Sequence, residues 1–224
     1  MGKRKEKKNF LIIGLGRFGL GMVKQLSNLT TNIIAVDIDE SRVVLASEYV
    51  DQSLICDCTK KRTLIELGIQ NIDHAIVAIG NNLQATILIT INLKELGVKN
   101  ITVRVDDPEY IEVLERLGAD EVIVPEEATA ISLANRIMSD SFLDYYQVSK
   151  DYGIVKVMVN EKFEAKSLID MDVRNKFDVN ITGIIRENKF FMPKGNDNIY
   201  PNDIILVLGK ISHIDRFDRF VNGK

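Results

Sequence analysis

The chain has 224 residues, of which 46% are hydrophobic and 27% charged, with a formal net charge of −3. This balance is typical of a soluble globular protein, and the net acidic charge gives no indication of nucleic-acid binding. No stretch approaches the run of about 18 apolar residues that a transmembrane helix needs, and no apolar signal-peptide segment follows the basic start. We therefore expect no direct membrane insertion and predict a disordered basic tail at residues 1–8, with a weak contact to anionic lipid or an acidic partner as the alternative.

Strand and helix patterns alternate over the first half of the chain. The predicted strands cover residues 10–13, 33–36, 53–56, 75–79, 101–104 and 122–124. The predicted helices cover residues 17–28, 40–48, 60–67, 82–96 and 108–117. Such alternation is typical of a parallel sheet with helices on both faces, so we predict an α/β, Rossmann-like doubly wound lobe at residues 9–125.

The pattern changes after Pro125. A long amphipathic helix is predicted at 126–139, and no further strand follows closely enough to cover its apolar stripe, so we expect a crossover or dimer-building helix within 126–140. Short strands are predicted near residues 155–159, 181–185, 189–191 and 204–209, and a last helix at 212–221. We predict a small α+β lobe at residues 141–224, which is small for an independent core and is therefore expected to dimerise.

A glycine motif separates the first strand from the first helix. Gly14, Gly16 and Gly19 have the spacing G-x-G-x-x-G, in which the glycines permit a tight turn, a close approach to phosphate and packing of the helix on the strand. The free N–H groups of the helix start then face the anion. Asp37 ends the second strand, where its carboxylate can accept hydrogen bonds from both ribose hydroxyls and disfavours NADP. We predict a nucleotide site here; the alternative is a turn kept only for packing, with Asp37 capping the next helix.

Other polar residues follow strands at the same carboxyl edge, where ligands of doubly wound sheets bind. Arg17 adds a guanidinium at the helix start, which favours ATP or ADP over NAD; alternatively it lies in solvent or pairs with an acid. Asp57 and Thr59 can hydrogen-bond an adenine edge, or they can cap the following helix.

The fourth and fifth strands add two more candidates at this edge. Gly80 permits a close approach of its loop to a ligand, whereas Asn82 can be a ligand contact or only a helix N-cap. Arg104 ends the fifth strand and is a second cation within reach of phosphates.

The sequence shows no evident catalytic or metal-binding constellation. The two histidines, His74 and His213, precede the fourth strand and lie near the C-terminus, away from any acid–base or nucleophile pattern. Cys56 and Cys58 form a C-x-C pair without further ligands nearby, so free thiols are expected rather than a zinc site. Two functional hypotheses remain: a ligand-sensing regulatory subunit that binds without turnover, and an NAD-dependent oxidoreductase. The absence of a general base and the presence of Arg17 favour the first.

The order of these pieces resembles the RCK (regulator of conductance of potassium) family, in particular its TrkA/KtrA-type members. The resemblance covers nearly the whole chain after residue 9, in the stretches IIGLGRFG at 12–19, VDIDE at 36–40, CDCTKKRTLIELGI at 56–69, AIVAIGNN at 75–82, VRVDDPEYIEVLERLGADEVIVPEEATAISLANRI at 103–137 and YPNDIILVLG at 200–209. Cys56 departs from the glycine usual before the Asp-Ala-Thr triplet of the family, and Cys58 replaces its alanine. Both residues are small, so we expect the loop to be kept.

The resemblance implies a non-enzymatic cytosolic subunit of a bacterial potassium uptake system, peripheral to the inner face of the membrane, that gates a separate integral-membrane potassium-translocating subunit. It also implies homodimers assembled into an octameric ring. ATP or ADP, with NAD as an alternative, is the implied ligand, and no nucleic acid is expected. The implied contacts are Gly14, Gly16, Arg17, Phe18, Gly19, Asp37, Ile38, Asp57, Cys58, Thr59, Ile79, Gly80, Asn81, Arg104 and Glu126.

Two further sites are implied by the resemblance. Glu126 is expected to hold Mg²⁺, Ca²⁺ or Na⁺ near the γ-phosphate, unless it is an ordinary acid in a first helical turn. Cyclic di-AMP is expected as an inhibitor in the C-terminal lobe, after a short apolar helix at 167–171, with Arg174 alternatively only pairing with an acid on a solvated turn. The candidate contacts are Ile169, Val173, Arg174 and Asn175.

Overall fold

The structure, a computed structural model, describes residues 8–137 and 140–223, except for the side chain at position 135. Its first part contains the strands β1 (Phe10–Ile13), β2 (Ile33–Asp37), β3 (Gln52–Ile55), β4 (His74–Gly80), β5 (Asn100–Val105) and β6 (Glu121–Ile123). They form one parallel sheet in the order β3-β2-β1-β4-β5-β6. This is the strand order of a doubly wound Rossmann sheet, so the predicted fold class is confirmed.

Helices connect these strands with bounds close to those predicted. They are α1 (Arg17–Ser27), α2 (Glu40–Ser47), α3 (Lys61–Glu66), α4 (Leu83–Glu95) and α5 (Ile111–Arg116). The helix predicted at 108–117 is divided, because a 3-10 turn at Pro108–Tyr110 precedes α5 and Asp107 accepts a hydrogen bond from the Glu109 N–H. The other boundaries in this half agree to within one residue.

The central strand β1 explains why the sheet is buried on both faces. Leu11 and Ile13 pack into one hydrophobic cluster, whereas Ile12, between them, packs into another. Alternate residues of a strand point to opposite faces, so the continuous apolar run at 10–13 supplies both layers at once. The glycine motif follows β1 directly, so it lies at the carboxyl edge of this sheet, between the two hydrophobic layers.

A long helix, α6 (Pro125–Ile137), follows the sheet. It begins one residue before the predicted start, and residues 138 and 139 of that prediction lie outside the described residues, as do residues 1–7 of the predicted tail. The chain divides into two compact units, the first ending at Glu126 and the second beginning at Glu127.

The second unit contains an antiparallel sheet and its own core. Its strands are β7 (Phe142–Gln147), β8 (Tyr152–Met158), β9 (Lys166–Ser167), β10 (Val179–Arg186), β11 (Lys189–Phe191), β12 (Asn198–Ile199) and β13 (Ile204–Lys210), and its helices are α7 (Leu168–Met171), α8 (Val173–Phe177) and α9 (Ile211–Asn222). The main sheet has the order β11-β10-β13-β8-β7, and β12 pairs with β9. The pattern had not predicted β7, β9, β12 or α8. Across the part of the chain that the structure describes, the helices lack the length and hydrophobicity to cross a membrane.

Candidate functional site

The glycine loop between β1 and α1 is shaped by contacts that exclude side chains. Gly14 has φ +92°, and a Cβ there would lie 2.9 Å from the Ala78 carbonyl carbon. A Cβ at Gly19 would lie 1.8 Å from the Gly14 carbonyl oxygen, so α1 approaches the loop closely. Gly16 is the N-cap of α1, and a Cβ there would meet nothing within 4 Å. The first and third glycines are therefore needed for packing, whereas the second leaves open space above the helix start.

Asp37, at the end of β2, holds the glycine loop in place. Its carboxylate accepts hydrogen bonds from the Leu15 N–H at 2.6 Å and the Asp39 N–H at 3.0 Å, and the side chain is nearly buried. The alternative that Asp37 caps the next helix is wrong, because Asp39 is the N-cap of α2 and accepts from the Ser41 N–H. Arg42, in the first turn of α2, lies 3.5 Å from Asp37.

The loop after β3 is organised by Asp57. Its Oδ1 accepts hydrogen bonds from both the N–H and the hydroxyl of Thr59, and the hydroxyl bond is the main cause of a lowered Asp57 pKa. Helix α3 begins at Lys61 and has no side-chain cap, so the alternative in which Asp57 or Thr59 caps it is wrong. Lys60 lies 3.4 Å from Asp57 and partly balances its charge.

The loop after β4 brings Gly80 against Arg104. Gly80 has φ +69°, and a Cβ there would lie 1.8 Å from the Arg104 Nη1. The glycine thus permits the guanidinium to lie close to the backbone of this loop. Asn82 is the N-cap of α4 and accepts from the Ala85 N–H at 3.0 Å, as in the cap alternative.

Arg104 is the centre of a charged group at the end of β5. Its Nη2 lies 2.6 Å from both Asp106 and Glu126, and 15% of its side chain is exposed. Its Nε is buried and has no hydrogen-bond partner among the described residues. The backbone N–H of Glu126 and, next, the Arg104 guanidinium lower the pKa of the Glu126 carboxyl, with a smaller contribution from the charge of Arg17. Arg17 itself is exposed at the first position of α1.

Two adjoining cavities lie at this carboxyl edge. The first, here called the edge cavity, has a volume of about 520 Å³, and its predicted residues are Gly14, Gly16, Asp37, Ile38, Asp57, Cys58, Thr59, Ile79 and Asn81. The second, here called the arginine cavity, has a volume of about 970 Å³, and its predicted residues are Gly16, Arg17, Phe18, Ile79, Asn81, Arg104 and Glu126. Gly19 and Gly80 line neither cavity.

Some lining residues were missed by sequence reasoning. Arg42 lines both cavities, Ala85 and Ile89 on α4 line the edge cavity, and Asp106 lines the arginine cavity. Arg42 could have been found from its place in the first turn after β2, because that turn begins at the ligand edge. The α4 residues carry no such signal, since an apolar residue on a helix usually indicates core packing.

The C-terminal candidates are less concentrated. Val173 is buried in the hydrophobic core of the second unit, so its side chain offers little surface to a ligand. Ile169 is 61% exposed, and Asn175 donates a hydrogen bond to Asp172. Arg174 is exposed, and the alternative that it pairs with an acid is not seen among the described residues.

Within residues 8–137 and 140–223, no three or more histidine, cysteine, aspartate or glutamate residues are grouped so that they could hold a metal ion. The exposed Glu126 carboxylate is paired with Arg104, as is the Asp106 carboxylate.

Comparison with known proteins gives consistent matches. The TrkA-N domain family matches residues 10–125, and the TrkA-C domain family matches residues 153–222. The Ktr system potassium uptake protein C of Bacillus subtilis (strain 168) is 39% identical over 216 residues, covering 96% of this chain and 98% of that protein. The Ktr system potassium uptake protein A of the same organism is 36% identical over 219 residues, covering 97% of this chain and 98% of that protein.

Solved structures share the fold. The crystal structure of the GsuK RCK domain matches with a TM-score of 0.65 at 15% identity, covering 99% of this chain and 49% of that chain. The GsuK channel bound to NAD matches with a TM-score of 0.67 at 13% identity, covering 97% of this chain and 40% of that chain. This chain thus spans half or less of those two chains. By the two domain matches and the near-full-length relatives, the chain belongs to the TrkA/KtrA-type RCK family.

Proposed function

We propose that this chain is a cytosolic, nucleotide-sensing regulatory subunit of a potassium uptake system, in which binding of ATP or ADP controls K⁺ uptake through a separate integral-membrane subunit. The supporting observation is the pair of adjoining cavities at the carboxyl edge of the Rossmann sheet. The edge cavity has the size of a small-molecule site and combines the open space over Gly16 with apolar walls suited to a nucleoside. The arginine cavity adjoins it and is lined by Arg17 and Arg104, whose positive charges suit phosphate groups.

The ligand is expected to be ATP or ADP rather than NAD. Arg17 and Arg104 both line the arginine cavity, and the free N–H groups at the start of α1 lie next to them. A cluster of two guanidiniums favours the higher charge of a terminal phosphate over the nicotinamide half of NAD. A phosphate would also replace Glu126 as the partner of Arg104, so the charged group has a different arrangement with and without nucleotide.

A thermal titration of the full chain tests this proposal. At a nucleotide concentration of about 100 Kd, binding stabilises the folded state by about 2.7 kcal/mol, which raises the melting temperature. Arg17→Ala should weaken ATP about tenfold, through the loss of a charge-assisted hydrogen bond, and ADP less. Lys24→Ala, which removes a charge from the last turn of the same helix, is the matched control. Equal losses for ATP and ADP would remove Arg17 from this role.

Asp37 provides a second test at the nucleoside end. Asp37→Ala should weaken ATP and ADP alike, because both carry the same ribose. The same change frees the Leu15 N–H, so some loss of stability without ligand is expected as well. A selective loss of ATP alone would contradict the ribose role.

Binding without turnover separates this proposal from the NAD-dependent oxidoreductase. His74 lies at the amino end of β4, opposite the cavities, and His213 lies on α9. Incubation with NADH and candidate acceptors should leave the nicotinamide absorbance constant. A steady decrease would support the oxidoreductase instead.

A hard cation at Glu126 forms part of the proposal. One exposed carboxylate is an incomplete site, so Mg²⁺, Ca²⁺ or Na⁺ would need the phosphate oxygens of ATP as further ligands. Glu126→Gln should then remove the cation dependence of ATP binding. Unchanged dependence would place the cation elsewhere.

Cyclic di-AMP is proposed as an inhibitor at the C-terminal unit. Three residues are exposed here: Arg174 can donate hydrogen bonds to a phosphate, Asn175 can donate to the edge of a base, and Ile169 offers an apolar contact. The buried Val173 would only support them from the core. Calorimetry on the full chain should give one ligand per two chains, since a twofold ligand fits a twofold groove. The heat should be lost in Arg174→Ala, and its absence in the wild type would overturn this part alone.

The assembly is proposed to be a homodimer within an octameric ring beneath the membrane partner. A pull-down of this chain from bacterial membranes, followed by identification of the captured integral-membrane protein, tests the partner. A potassium-translocating protein is expected, and capture of none would contradict the regulatory role.

A further inference from the structure

The edge cavity contains the two cysteines of the chain. The Sγ atoms of Cys56 and Cys58 lie 3.9 Å apart, in contact with each other, and both residues line the cavity wall. Cys56 is partly exposed, whereas Cys58 is 3% exposed and packs into the core beneath the sheet edge. The Cys56 N–H donates to the Asp37 carbonyl, and the Asp57 carboxylate, between the cysteines, accepts from the Thr59 hydroxyl. Two thiols are therefore presented to one cavity, one in front and one behind.

We propose that Cys56 and Cys58 form a redox-sensitive modification site, at which a hydroperoxide converts the two thiols into an intramolecular disulfide that closes on the nucleotide cavity. Cys56 is the thiol that reacts first, and Cys58 is the resolving thiol. Disulfide formation itself is independent of the proposed nucleotide function, whereas its coupling to nucleotide binding rests on that function.

The electrostatics of the pair distinguish the two roles. The hydrogen bond between the two thiols lowers the pKa of Cys56, and partial burial and then the neighbouring Asp57 charge oppose this effect. The same hydrogen bond is the main cause of a raised Cys58 pKa, and burial of the thiol is the second cause. The more accessible thiol is thus also the better thiolate, and a low-pKa, accessible cysteine beside a resolving one is typical of redox-sensing sites.

The reaction balances in two steps. The Cys56 thiolate attacks the outer oxygen of the hydroperoxide, an S–O bond forms as the O–O bond breaks, and the leaving oxygen takes the Cys56 proton as water or an alcohol. The Cys58 sulfur then attacks the sulfenic sulfur, an S–S bond forms as the S–O bond breaks, and water leaves with the Cys58 proton. Two thiols lose two electrons and two protons, and the hydroperoxide is reduced.

The geometry predicts an effect on the cavity. A disulfide holds its sulfurs at about 2.05 Å, so the two atoms must approach each other by about 2 Å. The loop that carries Asp57 and Thr59 has to follow, because only one residue separates the cysteines. Since this loop forms part of the wall of the edge cavity, the oxidised chain should bind a nucleoside less tightly, and a bound nucleoside should shield Cys56.

The experiment treats the reduced full chain with hydrogen peroxide and follows free thiols and intact mass. The mass of the wild-type chain should fall by two hydrogen atoms, because an intrachain disulfide forms. A dithiol reductant should reverse this change. Cys58→Ser should stop at a sulfenic acid on Cys56, trapped by dimedone, whereas Cys56→Ser should react at least about tenfold more slowly. Both thiols remaining free in excess peroxide, disulfides only between copies, or equal rates for the two variants would overturn the assignment. Wild-type data alone decide the first two outcomes, so they do not depend on folding of the variants.

A second arm adds ATP before the oxidant. At about 100 Kd only about one cavity in a hundred is empty, so oxidation of the wild type should slow by at least about tenfold. Disulfide formation at an unchanged rate, with ATP binding demonstrated by thermal titration of the reduced chain, would overturn the coupling. A reduced chain that fails to bind ATP would contradict the proposed function instead, and the thiol data would still decide the disulfide.

Discussion

Gly19 and Gly21 lie two residues apart in α1, yet an added methyl group meets different surroundings at each. At Gly19 it would lie 1.8 Å from the Gly14 carbonyl oxygen, whereas at Gly21 it would meet nothing within 4 Å. Gly19→Ala should therefore destabilise the fold by about 2 kcal/mol or more, because backbone must move. Gly21→Ala should stabilise it by up to about 1 kcal/mol through helix propensity. Urea unfolding of both variants measures the difference, and equal effects would contradict the close approach of α1 to the loop.

His74 gives a prediction about pH. Burial lowers the pKa of its imidazole, whose Nε2 lies 2.8 Å from the Thr102 hydroxyl; the charge of Lys8 adds to this effect, and Glu121 and Asp120 oppose it. The folded chain thus binds this proton less readily than the unfolded chain. The stability that neutral His74 contributes is present above the unfolded pKa of about 6.5 and is lost as the pH falls through that value towards the folded pKa.

Proton NMR measures this directly. The chain has two histidines, so His74→Gln removes one of two ring signals and assigns the other. The His74 signal should titrate below about 6.5, and the urea midpoint should fall less with acidification in His74→Gln than in the wild type. If the His74 ring signal titrates with a midpoint above about 6.5, the charges of Glu121 and Asp120 outweigh burial.

At the scale of single residues, the sequence predicted positions better than partners. The spacing of Gly14, Gly16 and Gly19 placed them correctly, because steric needs of a strand–turn–helix are local. The partner of Arg104 could not be predicted, since Glu126 comes 22 residues later and meets it only once β5 and β6 pair. For the same reason the sequence did not predict that the Asp37 carboxylate binds the Leu15 N–H.

Among the elements of the second unit, the β12–β13 turn is fastened by an ion pair. Asp203 is nearly buried and accepts two hydrogen bonds from Arg186, each of 2.8 Å, and one from the Tyr200 N–H. The Arg186 guanidinium also lies over the Tyr200 ring, 4.4 Å from its centroid. Arg186 ends β10, so the pair joins that strand to the turn.

Removing Asp203 should therefore be costly. Asp203→Ala leaves Arg186 without its acid, and we expect a loss of about 2–3 kcal/mol, less than for a fully buried pair because 35% of the Arg186 side chain is exposed. Asp215→Ala breaks the exposed pair with Arg219 one helical turn away and should change stability by less than about 0.5 kcal/mol. Chemical denaturation of the full chain compares them, and similar losses would show that the turn does not depend on the pair.

Element lengths explain which parts of the fold the sequence could predict. A helix such as α1 spans enough residues for an apolar periodicity to appear. The strands β9 and β12 have two residues each, which is too short for a sequence pattern, and they are recognised as strands only because they pair with each other. Helix α8 was missed because Asp172, with φ 47°, turns the chain between two very short helices, and a left-handed aspartate has no clear sequence signal.

At the scale of the whole molecule, exposed apolar residues on α6 indicate a surface for assembly. The α6 helix exposes Leu133, Ile131 and Ile137, with 46%, 38% and 72% of their surfaces accessible, and the exposed Tyr146 of β7 lies in the same unit. A cavity of about 590 Å³ lies between α6 and β7, within this unit. Neighbouring apolar side chains of this kind mark an interaction surface more often than a single exposed residue does. We expect a second copy of the chain to cover it.

Leu133→Glu should therefore lower the oligomeric state of the full chain, because the same patch on both copies of a twofold interface would carry the charge and its desolvation cost twice. Leu29→Glu is the control, since Leu29 is 81% exposed but stands among polar residues in the turn after α1. Light scattering after size-exclusion chromatography should give a smaller mass for Leu133→Glu and the wild-type mass for Leu29→Glu, with both variants folded by circular dichroism. If Leu133→Glu keeps the wild-type mass, the copies meet through another surface, and α6 has to be assigned a different role.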